Sequence, residues 1–244
     1  MTAPPAPQPP DLTSAHVFTL AGQTLHALPS GALFWPDAGL IVVSDLHFGK
    51  SERLARRGGA LLPPYEVQET LARLDADLAR TQAARVLCLG DSFDDLAAAE
   101  SLDEPARLWL MRLMGGRDWI WIAGNHDAGP VEIGGSHRDE VVLGPLTFRH
   151  IADPAAVAEV SGHYHPKARL GGVSRPCFLR DARRLILPAY GCYTGGLRMD
   201  DPALTGLMQP DALAILTGTR VLAMPMAAAG AGRQSKPRAS SLAR

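Results

Sequence analysis

Asparagine is nearly absent from this chain of 244 residues: Asn125 is the only one, and it stands directly before a histidine, His126. Cysteine is scarce too. Cys88, Cys177 and Cys192 are odd in number, far apart and without a CxxC, which excludes a disulfide framework and a thiolate zinc site and points to a reducing, cytoplasmic setting. Lysine occurs only at Lys50, Lys167 and Lys236, so positive charge is almost all arginine. No charge of one sign dominates, since 24 basic against 25 acidic residues leave a formal net charge of −1. A global field that coats nucleic acid is thereby excluded, and an acidic partner has to be held by local arginine clusters or by metal. The chain has no run of about 18 apolar residues, and its first residues, MTAPPAPQPPDL, show neither a basic n-region nor an apolar h-region, so no membrane span or secretion signal is expected.

What is there is an ordinary globular composition, 46% hydrophobic and 20% charged, of a length that suits one large domain. Residues 1–13 are proline-rich and residues 227–244 are small, polar and basic; neither composition can bury a core, which leaves 14–226 as the expected folded domain. HVFTL, TLHAL and ALFW, separated by turn residues, predict a β-meander running into GLIVVSD. Residues 63–81 place Val67, Leu71, Leu74 and Leu78 on one helical face, and a second helix is expected over 103–114. RVLCLG, DWIWIAG, PLTFRH, AVAEVSG, CFLRD, RRLILPA and the hairpin DALAILTGTRVLAM read as strands, a mixture that predicts a sheet-rich α/β sandwich.

Five of these apolar runs end in metal-binding residue types. GLIVVS leads into Asp45 and His47, RVLCLG into Asp91, WIWIAG into Asn125 and His126, LTFR into His150, and AEVSG into His163 and His165. Ligands of open α/β sheets bind beyond the carboxyl ends of strands, so strands lying side by side bring these residues into one cleft. Carboxylate, amide and imidazole without sulfur suit Mn²⁺, Fe or Zn²⁺. So many such residues exceed the needs of one four-coordinate ion, which points to two divalent ions sharing a carboxylate, an arrangement suited to phosphate-ester hydrolysis.

The order Asp-x-His (45, 47), Gly-Asp-x-x-Asp (90–94), Gly-Asn-His-Asp (124–127), His150 and Gly-His-x-His (162–165) resembles the calcineurin-like metallophosphoesterase superfamily. SDLHFGK, GDSFDD, SGHYHPKA and LPAYGCYTGG are further similar to a narrower group, the bacterial ligase-associated DNA damage response phosphoesterases, which act as endonucleases. The resemblance implies an α/β/β/α sandwich with two facing mixed sheets. It implies that Asp45, His47, Asp91 and His165 bind one metal, most simply Mn²⁺, and Asp91, Asn125, His150 and His163 the other, with Asp91 bridging. His126 becomes the general acid, Asp94 or its neighbour Asp95 the group that orients it, and Asp127 a second candidate for that task. A DNA ligase or helicase partner is implied as well.

Bland readings compete at several positions. His16, His26 and His137 read as surface or hydrogen-bonded structural residues, Cys88 as a small buried hydrophobe, and Asp94 and Asp95 equally as caps of DDLAAAE. Lys50, Arg53, Arg56 and Arg57 follow the first ligand pair and either bind the flanking phosphates of a nucleic-acid strand or form a solvated face. Arg180, Arg183 and Arg184 read as solvated. Two rival functions remain open: a phosphoesterase of nucleotides, cyclic nucleotides or phosphomonoesters, and a catalytically idle interaction scaffold.

Overall fold

A computed structural model of the chain describes residues 12–51, 53, 65–94, 102–126 and 133–226. Most of the proline-rich lead-in, the basic tail, Arg56, Arg57, Asp95 and Asp127 lie outside the described residues.

Alternation with a period of two decides the architecture. β4 (Leu40–Val43), β5 (Arg85–Leu89) and β6 (Asp118–Ile122) are parallel neighbours with apolar residues on both faces, as a strand covered from both sides requires. Leu40, Val42, Leu87, Leu89 and Ile122 point into one cluster; Ile41, Val43, Val86, Cys88, Trp119 and Trp121 point into another. The second cluster is closed by α1 (Glu66–Thr81) with Leu71, Leu74 and Leu78 and by α2 (Glu104–Met114) with Leu110 and Leu113. Asp103 caps α2, its side chain accepting from Ala106 N–H at 2.8 Å, with Pro105 in the first turn.

The meander β1 (His16–Leu20), β2 (Gln23–Ala27), β3 (Leu33–Trp35) adds antiparallel strands to one edge of this sheet and β7 (Ser136–Arg138) a parallel strand to the other, in the order β1-β2-β3-β4-β5-β6-β7. A second mixed sheet contains β8 (Glu140–Leu143), β9 (Leu146–Arg149), β10 (Glu159–Ser161), β12 (Val173–Arg180), β13 (Arg184–Ile186), β14 (Leu213–Leu216) and β15 (Leu222–Pro225), ordered β15-β14-β12-β13-β10-β9-β8; β11 (Lys167–Leu170) pairs with β12 off this path. Phe148, Val160, Phe178, Leu185 and Ile215 face the first sheet, sharing a cluster with Leu87 and Ile122. The far face packs Cys177, Leu179 and Leu216 against Met199, Met208 and Leu204 of α3 (Pro202–Thr205). The layers are thus helix, sheet, sheet, helix as expected, with the last helical layer reduced to one turn.

Several elements differ from the sequence expectation. β7, β8, β11 and α3 are additional, and the CFLRD strand starts earlier, at Val173. These additions are short or largely exposed, so hydrophobic patterning does not mark them. Arg184, read as solvated, is 1% exposed, because its guanidinium is drawn inward by the buried Glu159 carboxylate, Nη1 to Oε2 3.3 Å.

Candidate metal centre

The carboxyl ends of β4, β5 and β6 in one sheet and of β9 and β10 in the other open toward the same place, and the chain bends sharply as it leaves them. Asp45, His47, Asp91, His163 and His165 all adopt left-handed backbone, with φ of 54°, 48°, 46°, 72° and 47°. Non-glycine residues rarely do so, and each such residue costs about 1–3 kcal/mol, so five of the seven expected ligands are placed by backbone strain that the surrounding packing has to hold. Two glycines permit the close approach. A Cβ at Gly162 would lie 1.7 Å from Ser44 Oγ and 2.8 Å from Asp45 Oδ2; one at Gly90 would lie 2.5 Å from His150 Nδ1.

Two ligand groups result. Asp45, His47 and His165 present ligand atoms within 4.8 Å of one another, and so do Asp91, His150 and His163. In the first group His165 Nε2 lies 3.2 Å from Asp45 Oδ1 and 3.4 Å from His47 Nε2. In the second, His150 Nε2 lies 2.9 Å from Asn125 Oδ1, 3.2 Å from His163 Nδ1 and 3.4 Å from Asp91 Oδ2. Asp91, expected to be shared, stands with the second group.

Close polar partners fix which ring nitrogens point inward. His150 Nδ1 faces the Leu89 carbonyl at 2.8 Å, and His47 Nδ1 faces the Asp94 carboxylate at 3.0 Å. Both partners accept, which puts the ring protons on Nδ1 and leaves the Nε2 lone pairs toward the centre, the arrangement by which outer partners orient metal-binding histidines. Around His150 Nε2 the amide oxygen of Asn125, a carboxylate oxygen of Asp91 and a nitrogen of His163 then converge as acceptors. Asp45 Oδ1 is buried and takes no hydrogen bond among the described residues, while its Oδ2 accepts from Ser44 Oγ at 2.5 Å and from His163 N–H at 2.9 Å. Converging acceptors with an orphaned carboxylate oxygen are what a cation satisfies, so the residues present fit divalent metal.

The electrostatics agree. Burial alone would push Asp45 and Asp91 up; the facing imidazoles, His165 for Asp45 and His150 for Asp91, outweigh it and hold both carboxyls below the usual range. Burial pushes His150 down, yet Asp91 and Asp45 together raise it above an ordinary imidazole. The pocket attracts positive charge, whether a proton or a metal ion.

His126 stands apart from both groups. Its side chain is 34% exposed, its Nε2 is 4.0 Å from Asp91 Oδ2, and its backbone N–H donates to Asp91 Oδ1 at 2.9 Å. Its Nδ1 faces the Asp94 backbone carbonyl at 3.0 Å. The expectation that Asp94 orients His126 therefore needs correcting as to the atom: the main-chain oxygen faces His126, while the carboxylate is engaged by His47 and by Arg53 Nε. For the same reason Arg53, a candidate phosphate ligand, is paired with a protein carboxylate. Lys50 is partly exposed beside it in sequence. His16, His26 and His137 lie on β1, β2 and β7, outside both ligand groups. Sequence reading missed Ser44 and the Leu89 carbonyl. Ser44 adjoins Asp45 in sequence, but a carbonyl acting through its backbone leaves no residue-type signal.

A cleft of about 320 Å³ lined by His163, Tyr164, His165, Gly196 and Leu197 opens beside the ligands. Comparison with known proteins now adds to this geometry. A family model described as calcineurin-like phosphoesterase matches residues 39–203, which includes every expected ligand. Among solved structures the chain is similar to the Pseudomonas putida nuclease MPE, with 30% identity and a TM-score of 0.70 over 86% of this chain and 100% of that one. No curated protein matches the chain.

Proposed function

The chain belongs to the calcineurin-like phosphoesterase family and hydrolyses phosphoester bonds, and from that premise we propose that it is a dinuclear, Mn²⁺-dependent phosphodiesterase that cleaves DNA, serving DNA repair beside a ligase or helicase. The observation that carries this reading is a complete two-group ligand set, Asp45, His47 and His165 with Asp91, His150 and His163, on a chain similar to a nuclease along most of its length. Bound divalent cations supply neutralisation of the phosphoryl oxygens and lower the pKa of water. The protein supplies the rest. Asp45, Asp91, Asn125 and the four histidines hold the charge that phosphate needs, and the strained backbone fixes their positions. With its Nδ1–H toward the Asp94 carbonyl, His126 keeps Nε2 free on the open side, where it holds a proton for the departing oxygen.

The test is hydrolysis of circular single-stranded DNA with added Mn²⁺, set against small diesters, nucleotides and phosphomonoesters. Cleavage of the circle, lost in Asp91→Ala, is the expected result. Faster turnover of nucleotides or monoesters than of DNA replaces the nuclease reading with the small-substrate one. Inactivity on every substrate, indistinguishable from the Asp91→Ala variant, overturns the enzyme assignment.

A further inference from the structure

Beyond the second ligand histidine pair the chain forms an edge that is basic on one side only. In β11, Ala168 is 1% exposed and packs among Met199 and Leu204, so its neighbours Lys167 and Arg169 point the other way. Pairing with β12 sets Arg169 opposite Ser174, which puts that hydroxyl on the same face. The segment after Leu197 adds a third cation. Lys167 N–H donates to the Leu197 carbonyl at 2.8 Å, Met199 N–H to the Lys167 carbonyl at 2.9 Å, and this parallel bridge aligns Arg198 with Lys167. Lys167, Arg169, Ser174, Arg198 and Asp200 line a hollow of about 340 Å³.

The hollow is close to the ligands. Lys167 follows His165 by two residues, about 7 Å of extended chain. Leu197 N–H donates to the Tyr164 carbonyl at 3.1 Å, so residues 196–199 wall both this hollow and the cleft beside His163 and His165. All three cations retain donors. Lys167 Nζ gives one hydrogen bond, to the Thr194 carbonyl at 2.9 Å, and Arg169 gives one from Nε to the Gly172 carbonyl at 3.1 Å. Arg198 is held at two points by Asp200, Nε to Oδ1 at 2.8 Å and Nη2 to Oδ2 at 2.6 Å, which leaves its remaining N–H groups for a phosphate.

We infer that this face of Lys167, Arg169 and Arg198 binds the backbone phosphates of the nucleic-acid strand one or two nucleotides from the scissile bond, a task for which the sequence also offers the 50–57 segment. The inference rests on the nuclease reading. A nucleic-acid strand is the occupant because same-face cations at successive alternate positions of an extended chain match a backbone of regularly repeating phosphate charge.

Arg169→Glu and the double variant Lys167→Gln/Arg169→Gln test it. The ratio of kcat/KM for a single-stranded oligonucleotide to that for a small aromatic diester is expected to fall about tenfold, the loss of about 1.4 kcal/mol of charge-assisted contact. The salt dependence of oligonucleotide binding should flatten by about 0.7 in log–log slope per cation removed, and Arg169→Lys should restore most of it. Wild type that cleaves DNA with variants unaltered in ratio and slope overturns this inference alone. Wild type that hydrolyses only small esters overturns the nuclease reading and this inference together.

Discussion

Glu159 and Asp45 are both wholly buried carboxylates, and they differ in what answers their charge. At Glu159 the protein answers it. Arg184 Nη1 lies 3.3 Å from one oxygen, Arg149 Nε 3.5 Å from the other, and Asp153 N–H donates at 2.8 Å. Arg184 is itself anchored on the Pro154 and Ala156 carbonyls, both at 3.1 Å. At Asp45 an imidazole stands where the arginines would be, with His165 Nε2 3.2 Å from Oδ1. A buried carboxylate closed by guanidinium is finished as the chain folds. One faced by inward lone pairs is left for a cation from outside, and that separates the structural charge cluster of this fold from its working one.

Asp91→Ala should break the comparison hardest. Removing a carboxylate from the ligand set is expected to abolish metal retention at the second group and lower kcat/KM by roughly 10³-fold or more, several kcal/mol of lost charge stabilisation. Metal analysis of the purified variant and a hydrolysis assay check both, and added Mn²⁺ should raise the Tm of wild type by more than that of the variant, which keeps the first group. His126→Ala is the next largest. It should lose about 10²–10⁴ in kcat on DNA while holding as much metal as wild type. The loss should shrink sharply on a diester with a good leaving group, which needs no proton; an equal loss on both substrates moves the general acid elsewhere.

Arg184→Met strikes the other carboxylate. It leaves Glu159 buried against an apolar side chain, and at neutral pH it should cost about 3 kcal/mol, near 10 °C in Tm, with metal content unchanged. The sign of its pH dependence follows from Glu159. Burial already raises that carboxyl above 4.5 in spite of Arg184 and Arg149, and removing Arg184 raises it further. The stability deficit should therefore be largest above the raised value and shrink as pH falls toward 4.5, where the carboxyl takes up a proton. Urea denaturation from pH 8 to pH 4.5 reads it, and a deficit independent of pH would assign the effect to packing alone.

Much of this contrast was legible in the sequence, for a definite reason. Asp45, Asp91, Asn125, His150 and His163 each follow an apolar run, so one local signal marks strand, turn and candidate ligand together. Leu40 to Val43 and Val86 to Leu89 likewise alternate between two clusters in a way their composition announces. What escaped depends on partners far along the chain. Arg184 reads as a surface residue until Glu159, 25 positions away, is brought beside it. β11 has the polar sequence KARL and is held by main-chain bonds to β12 and to residues 197–199, which no hydrophobic period encodes.

Asp94 is the residue on which sequence and geometry part most instructively, and it gives the smallest and finest test. Its carboxylate bridges His47 Nδ1 and Arg53, and its carbonyl faces His126. Asp94→Asn keeps the carbonyl and weakens the carboxylate's hold on His47 and Arg53. The Mn²⁺ concentration for half-maximal activity should then rise about 10–100-fold, with excess metal restoring turnover, because an outer partner of a ligand tunes affinity and not proton transfer. Were the carboxylate acting on His126, kcat would fall at saturating metal and the metal requirement would stay where it was. Arg53→Met separates the two ends of the same carboxylate: it should shift the metal requirement in the same direction by less, since His47 keeps its acceptor and loses only the guanidinium that steadies it.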